Sequence, residues 1–411
     1  MHRRVAIPLL LGPSLAAQPT PPSLEIFSQI ASDEPKVFNP AMAALTRQWK
    51  NSYAIMLLEM LTMLAADDPA RSRLLRFLEL RTGQSFGLKL HDWHRWIWAQ
   101  PYDPHPDYSI FKGFLYANLD PRMQSFFPSN RLTPSRVRLD QVEWGGVRVN
   151  GIPPLINPKT IPAPEATYLK DNHIVFGLTI GNQHRAYPKR ILAWHEMARD
   201  LVDGQNICLV YCTLCGTVIP YIAKSTSGSH TFGTSGLLYE SSKLMFDEET
   251  KSLWSTLQGQ PVIGPLANSG IQLDFANVVT TNWVEWRTLH PDTTVLSLNT
   301  GHSRDYGEGV AYSSYFATDK LMFQVSRHDK RLSNKDEVLV LRLPGRPPLA
   351  ISMAYLRKHP KFETTHSGLS ISIDTNRVGA TSVTVDGKPF PAHRSFWFAW
   401  HTQFPETTLI R

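Results

Sequence analysis

Hydrophobic and polar positions divide the chain into two textures. Over residues 40–127 apolar side chains recur every three or four positions, as in WKNSYAIMLLEMLTMLAADD and PARSRLLRFLELRTGQ, the period of an amphipathic helix. Asp67, Asp68 and Pro69 stop one helix and start the next, which predicts a helical pair. After Pro128 the apolar runs shorten and are separated by Gly, Pro, Asn and Asp. VEWGGVRVNGIPPL, HIVFGLTIGNQHRAYP, NICLVYC, TVIPYIA, HTFGTSGLLY, KLMFDEE, EVLVLRL, LSISIDTNRVGATSVTVDG and SFWFAWHTQF read as strands. Too little helix lies between them for a doubly wound parallel sheet. The pattern predicts an α+β protein with an N-terminal helical region followed by a mainly antiparallel β domain, sandwich or barrel-like. A few helices are inserted, over residues 189–201 and 282–290. The helical region is assigned to residues 23–135 and the β domain to 136–411.

Length supports the division, since 411 residues exceed what one hydrophobic core of roughly 250–300 residues accommodates. The 31 prolines and 11 tryptophans point to a loop-rich fold with many aromatic anchors. The aromatic segment HDWHRWIWAQPYDPHPDY carries His91, His94 and His105 at irregular spacing, which favours a packed interface over a metal site. A net charge of +7 raises the question of an anionic partner, but the basic residues are scattered and no basic run occurs, so no nucleic-acid partner is expected. Residues 1–22 have a basic start, a short apolar run and small residues before a Pro-rich linker, the outline of a signal peptide. Pro8 and Pro13 interrupt that outline. Export to the periplasm or beyond is the expectation, with a cytoplasmic protein carrying a disordered tail as the alternative. No segment reaches the roughly 18 apolar residues of a membrane span.

All three cysteines fall within NICLVYCTLCGTVIPYIA. Gly216 and the β-branched residues and proline after Cys215 oppose a helix, so Cys212 and Cys215 are expected on a hairpin knuckle. That disfavours a thioredoxin-like site, whose first cysteine caps a helix. Cys208 completes a CxxxCxxC spacing, but a strand places its Cα roughly 13 Å from that of Cys212, too far for one cluster. It reads as a buried structural thiol. Two cysteines do not complete a metal site, so other ligands are required. His195 is the nearest candidate and Met245 a further one. Glu196 and Asp200 are candidate acid–base or orienting groups, with Asp247 near them. A His and a Met added to two thiolates favour copper, a His with an open position favours zinc, and iron is less favoured. Ser235 in FGTSGLLYES lacks the second glycine of a nucleophile elbow and is assigned to a tight turn lining the cleft. The leading expectation is an exported metal-binding protein, possible metal-dependent oxidoreductase chemistry included, acting on an unidentified small molecule or redox partner. The alternative is a non-enzymatic module in which the cysteines form a disulfide or zinc clip.

The segments RAYPKRILAWHEMARD, VYCTLCGTVIPY, FGTSGLLYESSKLMFDEETKSLWSTLQGQPVIGPL, TTNWVEWRTLHP and SFWFAWHTQFPETTL occur in an order that resembles the bacterial domain-of-unknown-function family 3179. The resemblance spans most of residues 145–405. The helical stretch before residue 130 is similar to the extension many members carry. The chain departs from the family pattern at Arg199-Asp200, where Asn-Asp is usual, and at Thr213, where Pro is usual. The resemblance implies where the site lies and leaves the reaction open.

Overall fold

The computed structural model describes residues 20–127 and 134–411. Residues 1–19, on which the export expectation rests, lie outside the described residues. The chain forms two compact units, a helical one of residues 20–97 and 103–108 and a larger one of residues 98–102 and 109–411. No described helix is long and apolar enough to cross a membrane.

The helical unit follows the three-to-four periodicity. Asp68 caps the helix Pro69–Thr82 by accepting from the Ala70 amide at 2.8 Å, and left-handed Gly83 ends it. The preceding helix, Ala54–Met63, is buried on every side from Ala54 to Leu61. That is expected of a helix apolar all round. The His105 ring packs edge-on against Phe27 and Tyr53, with its Nε2 2.8 Å from the Pro22 carbonyl oxygen. His105 therefore serves packing, as the irregular aromatic spacing implies.

Among the described residues, the larger unit has five sheets of four or five strands. The first runs Val142–Trp144, Phe232–Tyr239, Ser242–Asp247, Leu253–Ser255, Gln260–Ile263 in spatial order, and the second Leu155–Ile156, Met197–Val202, Gln205–Cys212, Thr217–Ile222. The third is Val278–Asn282, Ile174–Ile180, Gln183–Pro188, Thr294–Leu296, Thr160–Pro162. The fourth is His393–Phe396, Glu337–Leu341, Leu349–Ser352, Thr408–Ile410, and the fifth Lys361–His366, Leu369–Thr375, Thr381–Val385, Lys388–Pro389. Most neighbours are antiparallel, and parallel pairing joins strands distant in sequence, such as Gln183–Pro188 with Thr294–Leu296.

Because side chains alternate across a strand, the second sheet can bury both faces. Ala198, Leu209 and Tyr211 pack on Phe176 and Tyr187 of the third sheet, while Met197, Cys208 and Val210 pack on Phe232, Met245 and Trp254 of the first. Leu238 of the first sheet shares a core with Phe396 of the fourth, and Leu339 and Ile351 of the fourth share one with Ile371 and Ile373 of the fifth. The fifth closes on the third through Thr381–Val385 and Val278–Asn282. Each sheet thus faces the next around a ring, and the second also touches the fourth. The arrangement resembles a five-bladed β-propeller, more specific than the sandwich or barrel expected from strand spacing.

Two elements differ from the sequence expectation. The helix expected over residues 189–201 ends at His195, and Met197–Val202 is a strand. Glu196 adopts a left-handed conformation at the helix end, and the following residues alternate between the two cores of the second sheet. In SFWFAWHTQF only the beginning is strand, His393–Phe396, and Trp397–Gln403 is helix. Trp397 and Trp400, three positions apart, both pack on Val338 and Val340 of the fourth sheet, a helical spacing hidden in a run that is apolar throughout.

Candidate functional site

Cys212 ends the strand Gln205–Cys212 and pairs with Thr217 at the start of Thr217–Ile222, so the four residues between them form the tip of an antiparallel hairpin. No helix follows Cys215. The tip is closed by backbone bonds from the Cys215 amide to the Cys212 carbonyl oxygen at 3.2 Å and from Gly216 to Thr213 at 3.3 Å. Gly216 is required there on two counts. Its φ is +61°, and a Cβ would stand 2.7 Å from the Phe396 ring. The Phe396 amide donates to the Cys215 carbonyl oxygen at 2.7 Å and so ties the tip to the fourth sheet. Cys212 and Cys215 are joined as a disulfide with Cα atoms 5.2 Å apart, within the span such a bond accommodates. Both are buried.

Glu196 follows the helix Lys189–His195 with φ +55°, a conformation that costs a non-glycine residue about 1–2 kcal/mol. Its surroundings hold it there. Its amide donates to Leu192 O, and its own carbonyl oxygen accepts from the Tyr211 amide at 2.9 Å and from Lys243 Nζ at 2.8 Å. Its Oε1 accepts from Thr213 Oγ1 and Tyr312 Oη, each at 2.8 Å, and its Oε2 lies 3.4 Å from Lys243 Nζ. Thr213 is the residue after Cys212, so the carboxylate is hydrogen-bonded to the disulfide turn itself. Burial pulls the Lys243 ammonium below the ordinary lysine range, and the Glu196 carboxylate opposes that shift. Burial raises the Tyr312 hydroxyl, and the charge of Glu196 raises it further.

These groups meet at a cavity of about 60 Å³ whose wall includes Glu196, Cys212, Thr213, Lys243 and Tyr312. Gly236 contributes to the same wall from a bulge in the first sheet, where the register shifts between Thr234 and Leu238. Ser235, expected on a tight turn lining the cleft, instead lies within the strand Phe232–Tyr239 at that bulge, fully buried, and donates to Leu244 O at 2.6 Å. The cavity holds room for one or two water-sized groups. Its lining residues bring together a carboxylate, an ammonium, the hydroxyl-bearing Thr213, Thr234 and Tyr312, and Cys212 of the disulfide.

The other expected residues lie in different surroundings. His195 is fully buried with Nδ1 2.8 Å from the Pro153 carbonyl oxygen and Nε2 2.6 Å from the Tyr306 hydroxyl, so both ring nitrogens are engaged by partners other than the cysteines. Burial lowers its pKa, opposed by the bond to Pro153 and assisted by His302 and Arg304. Met245 packs with Trp254 and Cys208 in the core between the first and second sheets, whereas Cys212 and Cys215 belong to the core that contains Phe396. The ligand set of two cysteines, His195 and Met245 is therefore not assembled by hydrogen bonds or packing. Asp200 ties the second sheet to the third, accepting from Arg185 Nη1 and the Tyr187 hydroxyl, both at 2.6 Å. Cys208 is a buried thiol whose pKa burial pushes up to about 12, as a structural cysteine requires.

Lys243 and Tyr312 were not singled out by sequence reasoning, and Thr213 only as a departure from the family pattern. Lys243 carried a usable signal. It stands in Ser242–Asp247, where every residue is buried, and a lone lysine in such a strand needs a buried partner. Tyr312 carried none, since it reaches Glu196 from a loop more than a hundred residues away in sequence.

A propeller-like β unit with a disulfide hairpin and a buried carboxylate–ammonium pair is thus the class of protein that fold and site define. The family described as Protein of unknown function (DUF3179) matches residues 149–388, and the chain belongs to it. No curated protein sequence and no solved structure matches the chain.

Proposed function

We propose that Cys212 and Cys215 form a redox-active disulfide, and that the protein is a thiol–disulfide oxidoreductase serving a small thiol whose sulfhydryl group reaches into the cavity. The observation that carries this reading is the hydrogen bond between Thr213, inside the disulfide turn, and the Glu196–Lys243 pair. In place of a helix N-terminus, the positive charge in the wall of the same cavity is Lys243. An incoming thiolate attacks Sγ of Cys212, a residue of the cavity wall. The S–S bond breaks, Cys215 leaves as thiolate, and a second thiolate attacks the partner sulfur of the mixed disulfide and displaces Cys212. The two incoming thiols give up one proton each and the two released cysteine thiolates take them up, with Glu196 as the acceptor and Lys243 as the donor. The chemistry suits an oxidising compartment, in line with the proposed export.

Mass analysis after alkylation, across a series of glutathione poises, tests the reading. A reversible pair reduced without unfolding, with a rate at least about tenfold lower in Glu196→Gln, is expected. A pair that resists reduction in the folded chain would make it a structural clip. Stoichiometric copper or zinc in the reduced chain, lost in Cys212→Ser, would favour the metal-thiolate reading.

A further inference from the structure

Asp247 ends the strand Ser242–Asp247 and is fully buried. The donors that reach its carboxylate are all neutral: the Thr250 amide at 2.6 Å to Oδ1, and Thr250 Oγ1 and Trp254 Nε1, each at 2.8 Å to Oδ2. No lysine or arginine pairs with it among the described residues. Buried charges are paired or coordinate metals, so this carboxylate lacks the counter-charge its surroundings call for.

Two further metal-ligating side chains converge on it. Phe232 pairs with Asp247 across the first sheet, and continuing that antiparallel register sets His230 opposite Glu249. One ligand atom from each of His230, Asp247 and Glu249 lies within 4.8 Å of the other two. The supporting groups are in place. His230 is buried against Trp254 and Phe232, with its Nε2 2.7 Å from Ser225 Oγ, and Glu249 accepts from the Thr231 amide at 3.0 Å. Bonds of this kind to ligand side chains fix their orientation at metal centres. Glu248, between the two acids, points to Arg199 instead, at 3.3 Å.

We infer that His230, Asp247 and Glu249 form a site for a divalent transition-metal cation, separate from the cysteine hairpin. One imidazole with two carboxylates suits zinc, manganese or ferrous iron better than calcium or magnesium, which prefer oxygen alone. Ligands about 2.1 Å from a tetrahedral ion stand about 3.4 Å apart, so the triad closes by small rotations, most easily of the exposed Glu249. The ion neutralises Asp247 and pins the turn after it to the strand Phe232–Tyr239.

Calorimetric titration of the purified full-length chain with zinc chloride, and the electron paramagnetic resonance signal of added manganese, test the inference. The wild type and the Cys212→Ser/Cys215→Ser chain are expected to bind one equivalent alike, with affinity at least about tenfold weaker in His230→Gln and in Glu249→Gln. Glu249 is exposed, so its variant reports on binding independently of folding. Absence of binding by the wild type, or affinity unchanged in both variants, would overturn the site. Binding lost only with the cysteines would place the metal at the hairpin instead.

Discussion

The Glu196–Lys243 pair carries the chemistry of the site and also its main electrostatic liability. Two opposite charges, each about one-twentieth exposed, are acceptable only together. Lys243→Met leaves the Glu196 carboxylate buried with hydroxyl donors alone and is expected to destabilise the larger unit by about 3–5 kcal/mol. Glu196→Gln leaves the ammonium facing a neutral amide. Urea denaturation distinguishes them, and a Lys243→Met chain as stable as wild type would show that the pair is dispensable. At this scale the sequence was partly legible. Cys212, Cys215 and Glu196 stood out because their residue types and spacing carry chemistry in themselves. Tyr312 did not, and Thr213 did only as a departure from the family pattern, because a hydroxyl becomes functional only through what it is folded against. His195 and Met245 were attractive ligands by type, yet their partners are a carbonyl, a tyrosine and an apolar core, none of which spacing reveals.

The hairpin is the element on which the disulfide depends, and its geometry rests on Gly216 and Phe396. Gly216→Ala is expected to destabilise by more than about 1 kcal/mol, since it combines a left-handed backbone with a clash against the ring. Thermal unfolding measures this, and a Phe396→Leu background, which removes the ring, should recover part of the loss. The strand that bears Phe396 also holds a pH-sensitive group. His393 is buried against Phe275 and Trp400, and burial lowers its pKa from the ordinary 6.5 to about 3, with the nearby Arg342 contributing. The unfolded chain therefore binds the extra proton first as pH falls. Stability from the neutral imidazole is complete above pH 6.5 and declines as pH drops toward 3. Denaturation at stepwise pH should show this slope, flattened in His393→Phe. The hairpin was legible from Gly216, Val218 and Pro220. The end of the helix Lys189–His195 was not, because no glycine marks it and a glutamate takes the left-handed position instead.

At the level of the whole chain, local periodicity separated the helical unit from the β-rich one, since the period of three to four and the period of two differ within a dozen residues. Sheet closure was beyond its reach. Val142–Trp144 pairs with Phe232–Tyr239, and Leu349–Ser352 with Thr408–Ile410, partners separated by tens of residues. Short alternating strands are compatible with a sandwich, a barrel or a propeller until the second sheet is seen to be buried on both faces. The bond between Asp200 and the third sheet belongs to this scale. Tyr187→Phe removes one donor to a buried carboxylate and is expected to cost about 1–3 kcal/mol without altering the redox behaviour of the hairpin, as separate unfolding and alkylation measurements would record.

The central claim, that the hairpin disulfide is redox-active and served by Glu196, meets its most direct test in the rate of its reduction by a small thiol as a function of pH. The wild type should be reduced while folded, with a pH profile that changes in Glu196→Gln while the protein retains its fold by circular dichroism. A disulfide reduced only on unfolding, or a profile identical in the two proteins, would contradict the account.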